Sequence, residues 1–194
     1  LRPMQHRHFI LHKPYGYLSQ FITNQTKGTS KKRMLGELHD FPEGTMCIGR
    51  LDETSEGLLL LTTDGMVSEK IRDQSIEKQY FAQVDGLITP AAVGRLKTGV
   101  EIGLFDKKYV TKPCEAQLLD PAPEFPIRSR PVRDDRHGPT SWISITLTEG
   151  KFRQVRKMTA ATGFPTLRLV RVRVGSIHLN EMSEGDVVEV ENFN

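Results

Sequence analysis

Cysteine is scarce in this chain. Cys47 and Cys114 lie far apart and belong to no CxxC, which excludes a disulfide framework and a cysteine-based zinc site. Long apolar runs are equally rare: the longest, Gly57 to Leu61, is far shorter than a membrane span. No basic-then-apolar leader opens the sequence, so the expectation is a reduced, cytoplasmic protein with no membrane contact. Phosphate-cradling glycine motifs are missing as well. Gly150-Lys151 lacks the earlier glycine of GxxxxGK and there is no GxGxxG, so no nucleotide cofactor is expected. His6, His8 and His12 have no further histidine near them in sequence, and no metal is expected there.

What is present has the composition of a soluble globular protein: 194 residues, 37% hydrophobic, 26% charged, net charge +3. That modest net charge hides a strong segregation. From Leu1 to Gly36 there are seven Lys/Arg and no acid, a balance of +7. From Glu149 to Arg173 seven bases face Glu149 alone, a balance of +6, whereas the chain from Leu179 onward has five acids and no base. Charge runs are commonly just solvated faces. Two separate basic blocks point further, to a polyanion, because Lys and Arg on phosphates release condensed counterions.

Local patterns predict a mixture of strands and helices. His8 to His12 reads as a strand broken by the turn Lys13-Pro14-Tyr15-Gly16. Thr23 to Arg33 is a basic polar loop. Gly57 to Thr63 is a buried strand ending at the turn signal Asp64-Gly65, with Met66, Val67 and Ile71 fitting a short helix after it. Lys78 to Val84 alternates, placing Tyr80, Ala82 and Val84 on one face. Thr89-Pro90 starts a helix that Gly99 stops. Pro121 to Pro139, rich in Pro and Arg, is a long loop. Ser141 to Thr148 is a half-buried strand with Ile143, Ile145 and Leu147 inward. Lys151 to Thr162 is a helix closed by Gly163, with Phe152, Val155 and Met158 on its apolar side and Arg153, Arg156 and Lys157 on another face. Strands at Leu167 to Val174 and Asp186 to Val190 follow. Without a regular βαβ rhythm, internal repeat or evident linker, the expectation is one α+β catalytic domain over 1–194 with a largely antiparallel sheet.

Three segments concentrate possible chemistry. In Gly49-Arg50-Leu51-Asp52-Glu53-Thr54-Ser55-Glu56-Gly57, two glycines flank a turn that can present Asp52 beside Arg50. A carboxylate held near a cation stays ionised, as a nucleophile or base requires, although an Asp before a strand is ordinarily a turn former. Glu149 to Met158 reads either as an amphipathic helix with a solvated basic face or as Arg156 on a carboxylate with its neighbours on phosphates. Lys78-Gln79-Tyr80-Phe81 offers a strand tyrosine able to stack on a base or move a proton, or simply a core residue.

Taken in order, these segments resemble the pseudouridine synthases, in the branch typified by the small-subunit enzyme A. GRLDETSEGLLLLTTDG is similar to the catalytic motif, FILHKPYGYLSQF to the first motif, KQYFAQVDG to the motif with the active-site tyrosine, and EGKFRQVRKMTAATGFPTLRLVRVRVG to the last. PTSWISITL and GFPTLRLVR point within that branch to the large-subunit (23S rRNA) E group. The resemblance spans essentially the whole chain. It implies the pseudouridine synthase fold, a mixed sheet with flanking helices and loops and a catalytic cleft across it. It also implies isomerisation of a uridine in ribosomal RNA by a monomer that needs no cofactor. Asp52 would react with the flipped-out uridine, by attack at C1′, attack at C6 or removal of the 2′ proton. Tyr80 would stack on the base and take the C5 proton, and Arg156 would keep Asp52 ionised. Arg50 would fill the gap left by the flipped base, Leu169 would line its pocket, and Lys13, Arg153 and Lys157 would bind substrate. Many members of the branch carry a small S4-like RNA-binding module ahead of the catalytic domain, and none is recognisable before Phe9.

Two rival functions fit parts of the sequence. A non-catalytic rRNA-binding or assembly factor would explain the basic blocks but has no need of Asp52, Tyr80 and Arg156 together. A metal-dependent nuclease would use the acids Asp40, Glu43, Asp52, Glu53, Glu56 and Asp64, and would require Mg²⁺.

Overall fold

The computed structural model describes residues 5–21, 32–73 and 75–194. Most of the basic loop expected over Thr23 to Arg33, including Lys27 and Lys31, lies outside the described residues. The elements are β1 (His8–Lys13), β2 (Tyr17–Leu18), β3 (Arg33–Met34), β4 (Met46–Ile48), β5 (Glu56–Thr62), α1 (Gly65–Asp73), β6 (Lys78–Asp85), α2 (Pro90–Thr98), β7 (Glu101–Leu104), β8 (Lys107–Val110), β9 (Glu115–Leu119), β10 (Thr140–Leu147), α3 (Gln154–Ala161), β11 (Thr166–Val174), β12 (Ile177–His178) and β13 (Val187–Val190). Antiparallel ladders and three separate helices make this an α+β fold. The pairing of β2 with β3 is parallel. The chain forms two compact units, residues 1–76 with 173–194, and residues 77–172.

In the first unit β1 pairs antiparallel with β5, His8 opposite Thr62 and Lys13 opposite Gly57, while β13 takes the other edge of β1. Every residue of β5 is buried, as the Leu58–Leu61 run requires of a strand covered on both faces. β4 also pairs with β5, Ile48 opposite Leu60, and this delivers the chain to Gly49 and the loop before β5. Asp64, expected as a turn residue, also starts α1: its carboxylate accepts the Met66 N–H at 3.0 Å. The short helix expected from Met66, Val67 and Ile71 forms, with Met66 81% exposed at its start.

In the second unit β10 lies between β6 and β9, with Ile143 opposite Ala82 and Leu118, and β11 lies beside β6. Ala82, Val84, Leu96, Ile143, Ile145, Val155, Met158 and Leu169 form its core. α2 starts as expected: Thr89 accepts the Ala92 N–H and Pro90 occupies the first turn, with Gly99 at φ +111 after the last residue.

Two expectations need correction. β10 is not half-buried, because Trp142, Ser144 and Thr146 on its second face are buried as well. Phe125, from the 120–139 loop, packs on Trp142 with ring centroids 5.6 Å apart, and Gln79 donates to the Ser144 hydroxyl at 2.9 Å. The last helix begins at Gln154 rather than Lys151. Arg153 stands in the left-handed region at φ +52, so the helix cannot extend back through it, and Phe152 is left outside the helix and exposed. The helix end is as expected: Gly163 donates to Ala160 and Phe164 to Thr159, with Gly163 at φ +89.

Candidate active site

Asp52 sits in the first unit between β4 and β5, on a loop whose main chain is held from several sides. Gly49, at φ +72, turns the chain out of β4; Arg50 is exposed and Leu51 is buried. The buried Ser19 hydroxyl donates to the Leu51 carbonyl at 2.7 Å and accepts the Leu51 N–H at 3.0 Å. One side chain thus ties both peptide groups of the residue before Asp52. The Asp52 carbonyl then accepts the Ser55 N–H at 3.0 Å, closing a tight turn over Glu53 and Thr54. Gly16 donates its N–H to the Glu53 carbonyl at 2.8 Å, bringing the Lys13–Gly16 turn against the same loop.

Lys13, expected to bind substrate, is placed otherwise. Its side chain is 0% exposed, and its ammonium donates to the carbonyls of Pro14 (2.8 Å), Tyr17 (2.8 Å) and Glu53 (3.3 Å). The reason is its position at the last residue of β1, where the side chain follows the turn inward. Burial pulls its pKa down from the ordinary 10.5 to about 8, against the upward pull of the Glu56, Asp52 and Glu53 carboxylates. Lys32, in the basic block, pairs with the Glu53 carboxylate at 3.0 Å, both side chains partly exposed.

The remaining expected residues lie in the second unit. Tyr80 is half-buried on β6 and packs against the core on the same face as Ala82 and Val84, and Leu169 on β11 is buried in that core. Arg156 and Lys157 are partly exposed on α3, and Arg153 is exposed just before it. Lys157 donates to the Gly103 carbonyl at 2.8 Å.

Glu149, which the sequence pattern gives no role of its own, organises the start of α3. Its carboxylate accepts from the Tyr109 hydroxyl, from the Lys112 N–H at 2.8 Å and from the Gln154 side-chain amide at 2.8 Å. Burial pushes Glu149 up, yet these hydrogen bonds outweigh it and leave the carboxyl below the usual carboxylate range. The same bond raises the Tyr109 pKa, because the phenol is a donor to a carboxylate. Gln154 is itself buried, and its side-chain oxygen accepts the Lys151 N–H at 3.0 Å. Ser19 and Glu149 carried the signals the sequence reading missed. Ser19 lies near the end of the FILHKPYGYLSQF segment, and Glu149 is the single acid among seven bases.

Among the described residues, no group of three or more His, Cys, Asp or Glu side chains is arranged to hold a metal ion, and no helix is long and apolar enough to cross a membrane. Residues 7–161 match the family described as RNA pseudouridylate synthase. The chain is 40% identical over 176 residues to the ribosomal large subunit pseudouridine synthase E of Xanthomonas axonopodis pv. citri, covering 90% of this chain and 88% of that protein. It is 39% identical over 184 residues to the enzyme of the same name from Vibrio parahaemolyticus, covering 94% of this chain and 73% of that one. A solved structure titled as a pseudouridylate synthase aligns over 97% of this chain and 72% of its own, with a TM-score of 0.74 at 25% identity. The four ordered motifs, the fold and these similarities agree: the chain belongs to the RNA pseudouridylate synthase family and is an isomerase of that kind.

Proposed function

We propose that this enzyme converts one specific uridine of 23S ribosomal RNA to pseudouridine in the cytoplasm, acting as a monomer through a single catalytic domain. The observation that carries the reading is the clasped loop bearing Asp52: the main chain on both sides of this residue is anchored, as a reacting carboxylate requires. The 39–40% identical relatives are named as large-subunit pseudouridine synthases, which favours a large-subunit substrate.

The target nucleotide leaves its stack, at a cost of a few kcal/mol, so that the glycosidic bond can be reached. Asp52 then acts on the uridine, the N1–C1′ bond breaks, the base turns and C5 becomes attached to C1′. Tyr80, half-buried on β6, takes the proton displaced from C5, and N1 is protonated in turn. Arg156 supplies a positive charge that complements the reacting carboxylate and orients it. Arg50, exposed beside Asp52, occupies the gap in the RNA stack, and Leu169 offers an apolar wall to the base. Arg153 and Lys157 meet phosphates. The isomerisation conserves every atom of the nucleotide and requires no co-substrate.

Carbodiimide labelling and primer extension on unmodified 23S and 16S transcripts, with this protein and its Asp52→Asn variant, test the proposal. A single new stop in 23S, absent with the variant, is expected. A stop in 16S alone refutes the large-subunit assignment. No stop in either RNA, from folded protein, refutes the activity on these substrates.

A further inference from the structure

The second unit displays two phenylalanines in water that no step of the proposed reaction uses. Phe105, at the tip of the β7–β8 hairpin, is 92% exposed, and Phe152, just before α3, is 56% exposed. Their rings stack, with centroids 5.9 Å apart and planes 20° from parallel. Phe105 also holds the left-handed conformation at φ +54, in a two-residue turn where Gly, Asn or Asp fit without strain. A bulky ring at that position is unfavourable twice, through its backbone and through its exposure, and neither cost is offset by burial. Arg153, next to Phe152, is left-handed too, at φ +52.

Cations surround the pair. Lys107, Lys108, Lys151 and Arg153 are exposed, and the Lys157 ammonium lies 5.1 Å from the centre of the Phe152 ring. Glu101 pairs with Lys108 at 3.5 Å, and Asp106 at the tip is followed directly by Lys107 and Lys108. The platform is also braced from behind. Lys157 binds the Gly103 carbonyl, while Glu149 joins Tyr109 of β8 to Gln154 of α3, so the hairpin and the start of the helix are locked to each other.

We propose that Phe105 and Phe152 form a stacking platform for an unpaired base of the RNA, with Lys107, Lys151 and Arg153 on the flanking phosphates. An exposed aromatic face accepts any unstacked base, and exposed cations next to it in the chain suit a nucleic-acid backbone. A purely apolar partner would gain nothing from those cations. The inference rests on the reading that the enzyme acts on RNA, and it adds a strand-gripping surface to that reading.

The test is fluorescence anisotropy of the full chain with a labelled single-stranded oligouridylate and, separately, with a blunt RNA duplex. The double variant Phe105→Ala, Phe152→Ala should bind the single strand about tenfold more weakly or worse, with little change for the duplex, whose bases are not free to stack. Its melting temperature should stay close to the parent's, since both rings are exposed. Should the double variant fail to fold, Phe105→Ser at the hairpin tip takes its place. Unchanged single-strand affinity, or equal losses for strand and duplex, would overturn the platform. Pseudouridine mapping on the same preparations separates the two ideas. A parent that modifies rRNA while the variant binds normally defeats the platform alone. A parent whose strand binding depends on the two rings, but which modifies no RNA, defeats the catalytic reading alone.

Discussion

The Ser19 hydroxyl closes on Leu51 from both directions, donating to its carbonyl at 2.7 Å and accepting its N–H at 3.0 Å. This single oxygen holds the peptide groups on either side of the residue that precedes Asp52. Replacement of Ser19 by Ala would leave two buried backbone groups unpaired, at a cost of about 1–3 kcal/mol. We expect the melting temperature to fall by roughly 2–10 °C. A positioning role predicts more: kcat for pseudouridine formation should drop further than KM rises. An unchanged kcat would show that the loop keeps its shape without this clasp.

Lys13 makes stability depend on alkaline pH with a definite sign. Its folded pKa, about 8, lies below the ordinary 10.5. Between those values the unfolded chain binds more protons than the folded one, so stability rises with pH across that window. Below about 8 the charge is buried in full and its desolvation cost is largest. Lys13→Met removes this titration and leaves three carbonyls without their donor. Denaturation of the two proteins between about pH 7 and pH 9.5 should therefore show the parent gaining on the variant as pH rises. A stability gap that stays constant with pH would be inconsistent with a buried, discharging ammonium.

Asp52→Asn tests the chemistry with least disturbance to the fold. The turn bond at this position comes from the Asp52 backbone carbonyl, which the substitution preserves. Turnover should disappear, while melting temperature and RNA affinity change little. A large loss of stability would instead mark Asp52 as structural.

Tyr80→Phe retains the ring that packs against Ala82 and Val84 and removes only the phenol. If the hydroxyl takes the C5 proton, kcat should fall by about two to four orders of magnitude. Release of tritium from C5-labelled RNA would measure that step directly, and a parent-like rate would exclude proton transfer by Tyr80.

Glu149→Gln should loosen the hairpin from α3, lowering stability by about 1–3 kcal/mol at neutral pH. The carboxyl is held below its ordinary 4.5, so its contribution is present above that value and is lost as pH falls through the folded value. Urea midpoints of parent and variant should therefore differ at pH 7 and converge in acid. A difference persisting in strong acid would assign the effect to packing rather than to the charge.

Elements defined by local pattern were legible in the sequence. Leu58 to Leu61 marks a buried strand, the Tyr80-Ala82-Val84 alternation marks β6, and Thr89-Pro90 with Gly99 brackets α2 almost to the residue. The hairpin of β7 and β8 was not legible. Its outward positions, Glu101, Gly103, Lys107 and Lys108, give little strand propensity, and the element forms because Ile102 and Leu104 are buried in the core. The burial of the second face of β10 was not legible for a related reason: Phe125, which packs on Trp142, comes from a loop with no periodicity of its own.

The sequence by itself determined the order of the motifs, the family they belong to and the segregation of positive charge, since each of these is a property of residue identity and spacing. Only the tertiary structure decided what the individual side chains do. Lys13 is a cation in a basic block by sequence, but the end of β1 carries it inward onto three carbonyls. Phe152 has helical spacing with Val155 and Met158, yet the left-handed Arg153 starts the helix after it and leaves the ring in water. Ser19 and Leu51, separated by 32 positions, meet only when β1 and β5 pair and the loops at that end of the ladder come together. Hydrogen bonds and burial act over a few ångströms of space, and folding sets which distant residues fall within that reach.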